Sequence, residues 1–332
     1  MKRYGNLTGT VADPDNLRLA FWKAGKGKRH SEAVLAYGKL LATNLAQLRE
    51  QILAAEVDVG NYHFFKIYDP KERQICAAAF GEQVLHHALM NVCHPHFERV
   101  QIHDSYACRK GKGTYAALER AKVFSKKYKW YLKLDVRKYF DSISHEVLEA
   151  QLTRMFKDWR LLRIFNAIIG SYEAQPGRGV PIGNLSSQYF ANHYLAGLDH
   201  FVLEKLRVGG YVRYMDDMVL WSDDKMKLKS AKTEIENHVQ SKLLCALKPV
   251  TFNRSAVGLT FLGYRVFPRY VALSQRSKRR FFQKMDILTK NQASGVWSEA
   301  ECQRRAMPLI AFTRHADATS LRQQTMKRSI AG

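Results

Sequence analysis

The spacing of hydrophobic positions predicts a mainly helical first third that is interrupted by a short strand pair. Between residues 15 and 55, apolar side chains recur near the 3.6-residue period of a helix, apart from a basic loop at residues 23–30. Residues 62–68 alternate as strands do, and residues 73–77 return as a second strand. Residues 80–97, which are apolar and rich in histidine, predict a further helix.

The middle of the chain predicts a central antiparallel sheet. The apolar segment 130–136 is typical of a strand, and residues 211–214 and 218–221 predict the two arms of a β-hairpin. Ser144 can cap a helix whose apolar side chains share one face. The other predicted elements are a loop at 177–183, helices at 186–206 and from Asp223 or Asp224 onward, strands near 250–252 and 259–266, and helix to the end. This order predicts an α+β fold.

Charge narrows the classes of function more than length or hydrophobicity does. The 332 residues are 46% hydrophobic and 25% charged, a composition typical of a globular chain of one to three domains. Lys and Arg number 53 against 30 Asp and Glu, which gives a formal net charge of +23. Such an excess favours a polyanionic partner, and the competing interpretation is a basic enzyme with a merely solvated surface.

Signals for membranes, secretion and zinc are weak throughout. No apolar run approaches the roughly 20 residues that span a bilayer, and the N-terminus lacks the apolar stretch of a secretory signal. The five cysteines never form a Cys-x-x-Cys pair, which favours reduced thiols. His86, His87, His94 and His96 lack matching Cys or carboxylates, so we interpret them as helix residues. We expect a cytoplasmic protein with no membrane partner.

Three aspartates stand where a predicted strand ends or turns. Asp135 closes the strand at 130–136, and Asp216 and Asp217 occupy the hairpin tip. Adjacent carboxylates between apolar strands repel each other unless cations neutralise them. If the fold unites these residues, which are 81 positions apart, their oxygens suit Mg²⁺. Two such ions about 3.5–4 Å apart support in-line displacement at phosphorus. The competing interpretation is a solvated Asp-Asp turn.

Three motifs around these aspartates resemble those of reverse transcriptases. Tyr214-Met215-Asp216-Asp217 resembles their Tyr-x-Asp-Asp hairpin. Asp135-Val136-Arg137-Lys138-Tyr139-Phe140-Asp141-Ser142-Ile143 resembles their first metal-binding motif, with an aromatic residue five positions after the aspartate. Phe261-Leu262-Gly263-Tyr264 resembles their hairpin beside the primer end. The motifs follow the family's order and spacing, and the resemblance spans residues 15–285.

The resemblance implies a right-hand polymerase fold. An N-terminal extension and the fingers would occupy residues 1–130, with part of the fingers and palm returning at 145–185. The palm, which carries the antiparallel sheet and the acidic site, would occupy residues 131–265. A short helical thumb and a C-terminal tail would occupy residues 266–332.

The resemblance also assigns metal ligands. Asp135 and Asp216 would be the principal ligands of two Mg²⁺ ions, which Mn²⁺ could replace. The backbone carbonyl of Val136 would join them, and Asp217 would complete the acidic cluster.

Candidate nucleotide contacts follow from the same motifs. Phe140 matches the steric gate that favours dNTP over rNTP, and its competing interpretation is a core aromatic. Lys71 and Arg73 match the fingers cations that grip the triphosphate, unless they lie in a solvated turn. Lys248 stands where many polymerases keep a lysine that could protonate pyrophosphate, although a surface lysine is an equal alternative.

The segment Gly179-Val180-Pro181-Ile182-Gly183-Asn184-Leu185-Ser186-Ser187-Gln188 indicates a subfamily. Most reverse transcriptases have Gln-Gly-x-x-x-Ser-Pro here, whereas this chain has Ile182 and Gln188 at the two ends. That form is similar to the reverse transcriptases of diversity-generating retroelements, a prokaryotic or phage-encoded branch of the group II intron-like superfamily. Residues 106–114 are similar to that group as well.

This resemblance implies a specific activity and partners. The enzyme would copy a template-repeat RNA into cDNA with errors at adenine, for mutagenic retrohoming. Template RNA, the RNA/cDNA duplex and dNTPs would be its ligands. A small basic accessory protein, itself a homo-oligomeric helical barrel, would be its protein partner.

Ile182 offers a physical route to such errors. A glutamine at this position could hydrogen-bond and orient the incoming nucleotide, whereas Ile182 can only pack against it. We therefore take Ile182 and Gln188 as candidate nucleotide-binding residues. The alternative is that Ile182 is a packing residue with no effect on fidelity.

Clustered cations predict contacts to nucleic acid. Residues 275–284 combine cations with interleaved aromatics, as suits a primer–template surface, although a solvated helical face is the alternative. The candidate nucleic-acid contacts are Arg109, Lys110 and Lys112 in the first cluster, and Arg276, Lys278, Arg279, Arg280 and Lys284 in the second.

Other functions stay open at this point. Another prokaryotic reverse transcriptase, of a retron, group II-like or phage-defence type, is the nearest alternative. Phe140 argues against an RNA-dependent RNA polymerase, and the three aspartates argue against a non-catalytic RNA-binding scaffold. The length leaves no room for a maturase region, an RNase H domain or an endonuclease, so we expect priming, strand removal and integration to need other components.

Overall fold

The computed structural model describes residues 3–68 and 72–331, with side chains to residue 325. The chain divides into two compact units, each of which is assembled from three stretches of sequence. The first unit comprises Met1–His103, Val136–Lys205 and Glu234–Lys248. The second unit comprises Asp104–Asp135, Leu206–Thr233 and Pro249–Gly332.

Helices dominate both ends of the chain, and strands lie near its middle. The elements of the first part are α1 Thr8–Val11, α2 Pro14–Ala24, α3 Glu32–Lys39, α4 Leu41–Ala54, β1 Tyr62–Ile67, β2 Arg73–Ala78, α5 Phe80–Arg99, α6 Thr114–Lys127, β3 Trp130–Asp135, α7 Tyr139–Ser142, α8 His145–Met155 and α9 Trp159–Gly170. Those of the second part are α10 Leu185–Tyr194, α11 Ala196–His200, a π-helical turn Phe201–Lys205, β4 Gly210–Tyr214, β5 Asp217–Ser222, α12 Lys225–Lys242, β6 Thr251–Arg254, a 3₁₀ turn Ser255–Val257, β7 Leu259–Phe261, β8 Tyr264–Val266, β9 Val271–Leu273, α13 Gln275–Ala293, α14 Glu299–Arg314 and α15 Thr319–Ala331. The predicted α+β class is confirmed.

Side-chain caps explain where several helices begin. The predicted cap at Ser144 is confirmed, because its Oγ accepts a hydrogen bond from Val147 N at the start of α8. Asp224 Oδ1 accepts from Met226 N at 2.7 Å at the start of α12. In the described chain no helix is long and apolar enough to cross a membrane.

The first unit packs its helices around buried aromatic rings. Phe97 of α5 lies 5.7 Å from Phe156 and 6.3 Å from Phe190, measured between ring centroids. Phe165 of α9 meets Phe190 edge to face at 5.3 Å. Aromatic pairs of this kind prefer defined ring orientations and stabilise the fold beyond the burial of their apolar area. Here they join α5, α9 and α10 into one core.

The predicted helix at 186–206 is wrong as a continuous element. The structure breaks it after Tyr194 and again at His200, where a π-helical turn follows. Phe190, Tyr194, Leu198 and Val202 are all buried. Polar residues of this segment such as Ser187, Asn192 and Asp199 are buried as well, so the spacing of polar and apolar residues could not reveal the change of helical register.

The hairpin that the resemblance implies at residues 261–264 is confirmed. The segment predicted as strand near 259–266 forms its two antiparallel arms, β7 and β8. A third strand, β9, pairs with β8 although the sequence did not predict it. Leu262 and Gly263 join β7 to β8 with φ values of +49° and +88°. Two successive residues with positive φ make the tight hairpin turn that matches strand twist.

A four-stranded antiparallel sheet lies in the second unit, in the order β4-β5-β3-β6. On one face, Tyr131, Val219 and Trp221 belong to a buried cluster that also includes Phe261 and Tyr264 of the small sheet. Residues of α6 complete the same cluster. This packing holds the ends of β3 and β5 in a defined register.

Candidate active site

The sheet register brings the predicted aspartates together. Asp135, the last residue of β3, lies directly opposite Asp217, the first residue of β5. Tyr214 of β4 lies opposite Asp217 on its other side. Because directly opposed residues point to the same face, the three side chains form a row across three strands. Asp216 stands beside this row in the hairpin turn, next to Met215 with φ +54°.

Burial and neighbouring charge set the electrostatics of Asp217. Its Oδ2 accepts a hydrogen bond from Lys133 Nζ at 3.0 Å, and its Oδ1 is buried with no partner in the described chain. Burial raises the pKa of Asp217 to about 7, Lys133 opposes that shift, and the charges of Asp135 and Asp216 add to it. Three carboxylates therefore lie close enough to influence one another, and Lys133 is bonded to one of them.

Lys133 is a site residue that sequence reasoning missed. Its Nζ donates to Asp217 Oδ2 and also to the Thr260 carbonyl at 2.9 Å. The same nitrogen lies 5.8 Å from the centroid of the Phe261 ring. The signal was present in the sequence, since positions 133 and 135 of a strand share one face.

The donor set fits a hard divalent cation. Within residues 3–68 and 72–331, no three His, Cys, Asp or Glu side chains come close enough to hold a metal ion by themselves. Mg²⁺ in polymerases takes one or two carboxylates and completes its shell with water and substrate phosphates. Two aspartates near one unpartnered buried carboxylate oxygen are compatible with that mode of binding.

Val136 is the first residue of the second stretch of the first unit, and Lys248 is the last residue of its third stretch. Val136 is fully buried and forms an isolated antiparallel bridge with Leu247, and Arg137 N donates to the Ala246 carbonyl at 2.8 Å. Lys248 is half-buried beside that bridge. Their predicted roles in metal and pyrophosphate chemistry stay predictions.

The candidate nucleotide contacts of the fingers and of Phe140 lie in the first unit. Arg73 is exposed at the start of β2, whereas Lys71 lies outside the described residues. Phe140 is half-buried in the short helix α7, and its carbonyl accepts from Val180 N at 3.0 Å. Gln188 is half-buried in α10.

Ile182 lies in a turn that is bonded to the β1–β2 hairpin. Its carbonyl accepts a hydrogen bond from Cys76 N of β2 at 2.8 Å. Gly183 follows with φ +128°, and a Cβ there would stand 2.8 Å from the Cys76 carbonyl oxygen. Only glycine fits this approach, so the Ile-Gly pair is a close packing site between the turn and β2.

The candidate nucleic-acid contacts fall in two places of the second unit. Arg109 Nη1 donates to the Ser105 carbonyl at 2.6 Å, and Lys112 Nζ lies 5.1 Å from the Tyr106 ring centroid, while Lys110 is exposed. The other five cations lie on α13, which buries Phe281 and Leu288 on its inner face. Arg276 and Arg279 are exposed, and Lys278, Arg280 and Lys284 are half-buried.

Comparison with known proteins gives one family match. A family model described as reverse transcriptase (RNA-dependent DNA polymerase) matches residues 69–266. The matched range contains the aspartates, Phe140 and the Ile182 turn.

Two curated relatives are similar over different lengths. Protein YkfC of Escherichia coli is 22% identical over 290 residues, which cover 71% of this chain and 76% of that protein. An uncharacterized 91 kDa protein in a cob intron of Schizosaccharomyces pombe is 30% identical over 104 residues, which cover 30% of this chain and 13% of that protein.

Solved telomerase structures are similar in fold. Telomerase from Candida tropicalis in complex with a TWJ fragment of telomeric RNA matches with a TM-score of 0.51 at 12% identity, over 88% of this chain and 58% of that chain. An apo form truncated from its C-terminal domain matches with a TM-score of 0.50 at 13% identity, over 64% and 55%. The chain thus spans little more than half of each telomerase chain. The predicted right-hand polymerase fold is confirmed.

Proposed function

This chain belongs to the reverse transcriptase family of RNA-dependent DNA polymerases, and we propose that it extends a DNA strand along an RNA template at the Asp135–Asp216–Asp217 cluster. The observation that carries the proposal is the register of β3 against β5, which sets Asp135 opposite Asp217 and beside the Asp216 turn. A strand end and a hairpin 81 residues away meet there, and their carboxylates repel each other unless a cation is present.

Reverse transcriptase domains use divalent metal ions, and we propose two Mg²⁺ here, for which Mn²⁺ could substitute. When bound, the ions would activate the attacking 3′-hydroxyl and neutralise charge on the leaving pyrophosphate. Asp135 and Asp216 would bind them, with the carbonyl of Val136. Asp217, held by Lys133, would complete the negative field and keep its neighbours in place.

Primer extension tests this proposal directly. A DNA primer on an RNA template, with dNTPs and Mg²⁺, should be extended by the wild type and not by Asp216→Asn or Asp135→Asn. Asp15→Asn is the matched control, because Asp15 is an exposed carboxylate in the first turn of α2. Equal extension by the wild type and Asp216→Asn would reject the proposed site.

The finer proposal is a diversity-generating subtype. Its support is the segment 179–188, in which Ile182 and Gln188 replace the usual Gln and Pro. We propose that the enzyme copies a template-repeat RNA into cDNA with errors opposite adenine. Its partners would be the template RNA, the RNA/cDNA duplex, dNTPs and a small basic accessory protein that forms a helical barrel. The surplus of cations, 53 against 30 acidic residues, is compatible with the nucleic-acid partners.

Sequencing of cDNA tests the subtype. Ile182→Gln should lower misinsertion opposite adenine on an adenine-rich RNA template, because the amide can hydrogen-bond and orient the nucleotide. Ile182→Leu is the control that keeps an apolar side chain. An error spectrum that is the same for all three proteins would reject the role of Ile182.

The nucleotide contacts of the first unit are proposed on the same basis. Phe140→Ala should let the enzyme accept rNTPs, since the aromatic wall at the ribose 2′ position would be gone. Arg73→Ala should weaken dNTP binding, because a guanidinium is bidentate to phosphate oxygens.

The alternative function is another prokaryotic reverse transcriptase, of retron, group II-like or phage-defence type. The likeness of 104 residues to the fission yeast protein in a cob intron favours the group II-like type. Faithful copying of adenine by the wild type, together with no template-repeat and variable-repeat pair beside the gene, would favour that alternative.

A further inference from the structure

Three buried polar side chains of the first unit form a hydrogen-bonded network. Ser186 Oγ lies 2.9 Å from His86 Nδ1, and His86 Nε2 lies 3.2 Å from Glu82 Oε1. The second carboxylate oxygen, Glu82 Oε2, accepts from Gly60 N at 3.0 Å. The exposed fractions of Ser186, His86 and Glu82 are 0%, 1% and 4%, so burial of these groups needs a reason.

The direction of each bond follows from the chemistry of the groups. The carboxylate oxygen of Glu82 accepts, so Nε2 of His86 is the donor in the bond between them. In a neutral imidazole the other nitrogen accepts, and the hydroxyl of Ser186 donates to it. Loss of any one member therefore leaves a buried polar atom unpaired.

Some hydrolases have a catalytic triad in which a serine, a histidine and a glutamate are hydrogen-bonded in this way. The burial of Ser186 excludes it as a nucleophile here. Ser186 has no exposed surface and lies within α10, between the buried neighbours Asn184 and Ser187. A nucleophilic oxygen must reach a substrate carbonyl, and this one cannot.

The network is joined to the turn that carries Ile182. Ser186 is four residues after Ile182, whose carbonyl is bonded to Cys76 of β2. Between them, Asn184 Nδ2 donates to the Tyr62 hydroxyl at 3.4 Å, and that hydroxyl lies 2.6 Å from Ser171 Oγ. This turn, taken as residues 182–186 so that it includes the first two residues of α10, is thus bonded at its start, middle and end.

We propose that the Glu82–His86–Ser186 network is a positioning device for nucleotide selection. It holds the turn 182–186 against α5 and β2, and so fixes where the Ile182 side chain stands. His86 is the central positioning residue, since it bonds both other members. The proposal rests on the proposed function, because it requires Ile182 to lie against the incoming nucleotide.

Steady-state kinetics with dNTPs and an RNA-templated primer test the proposal. Ser186→Ala should raise the KM for dNTP by roughly fivefold, the effect of one lost neutral hydrogen bond. His86→Phe, which removes both hydrogen bonds of the network, should raise it by at least as much. The KM for primer–template should stay unchanged. His86→Gln should restore much of the dNTP KM, because one amide can donate to Glu82 and accept from Ser186.

The matched control is His87→Gln, one position along α5. His87 is half-buried, and within the described residues it makes no hydrogen bond to the turn 182–186. The same substitution there should leave the dNTP KM at the wild-type value.

The outcomes separate positioning from mere stability. A lower melting temperature and kcat with an unchanged dNTP KM in Ser186→Ala and His86→Phe would overturn the proposal, since partial unfolding reduces the active fraction only. An equal rise of KM in His87→Gln would also overturn it. No extension by the wild type would instead overturn the proposed function itself.

Discussion

At the scale of single residues, Lys133 is the counter-ion on which the acidic row depends. Its ammonium bonds the buried carboxylate of Asp217, whose side chain is only 19% exposed. Removing one partner of such a pair leaves the other charged group unpaired, which costs more than the pair itself contributes.

Lys133→Met should therefore destabilise the metal-free protein by about 1–3 kcal/mol at pH 8. The loss should be smaller at pH 6, because burial raises the pKa of Asp217 to about 7 and the carboxyl is then protonated. Because the pKa of Asp217 is higher in the folded protein than in the unfolded chain, the stability that comes from its protonated form is lost as the pH rises through 7. Urea denaturation at both pH values measures this difference.

Lys126→Met, on the exposed surface of α6, is the control and should have little effect at either pH. An equal loss at pH 6 and pH 8 in Lys133→Met would show that the ammonium does not act through Asp217.

A second residue-scale prediction concerns acid stability. Burial lowers the pKa of His193 to about 4, and its ring meets Phe97 edge to face at 5.5 Å. A lowered pKa means that the unfolded chain binds the proton more tightly, so stability should fall as pH drops from 6.5 towards 4, by about 3 kcal/mol. His193→Phe should remove this contribution and leave that of His87, whose pKa burial also lowers to about 4, whereas exposed His30→Phe should leave both contributions in place. Denaturation curves between pH 4 and 7 decide between these outcomes.

At the scale of elements, two hairpin turns position residues of the candidate active site and of the segment that leads into α13. The β4–β5 turn presents Asp216, and the β7–β8 turn precedes α13 with a bond from Ser277 Oγ to the Gly263 carbonyl at 2.6 Å. Gly263 has φ +88°, and an added Cβ would stand 3.2 Å from Ser277 Oγ.

Gly263→Ala should lower stability by about 1–2 kcal/mol, because a left-handed backbone is costly for a residue with a Cβ. Gly197→Ala in α11 is the control, since a Cβ there meets nothing within 4 Å and alanine favours helix. Thermal melting compares the two variants. An unchanged melting midpoint in Gly263→Ala would show that the backbone at this position is not strained by a Cβ.

Comparison of predicted and observed elements shows which of them the spacing of apolar residues is enough to predict. The β3 strand and the β4–β5 hairpin were predicted within a residue or two, because apolar runs bounded by charged or turn residues mark strand ends well. The broken helix at 185–205 was not predicted, since its breaks depend on what packs around it.

At the scale of the whole molecule, the net charge of +23 predicts salt-dependent binding to nucleic acid. Arg279 on α13 is exposed and is a candidate phosphate contact. Arg279→Ala should reduce the slope of log K against log salt by about 0.7–0.9 for an RNA/DNA hybrid, because one fewer counter-ion is released.

Lys227→Ala, an exposed cation on α12, removes the same charge and is the control. Filter binding at several salt concentrations measures the slopes. If both variants change the slope equally, net charge rather than a contact at α13 accounts for binding.

The sequence by itself determined the family, the α+β class and the three aspartates, because motif spacing and strand-ending acids are local features. Lys133 bonded to Asp217 and the buried Glu82–His86–Ser186 network came only from tertiary structure. Those contacts join residues 84 and 100 positions apart, and no local pattern records which polar groups meet when burial removes water.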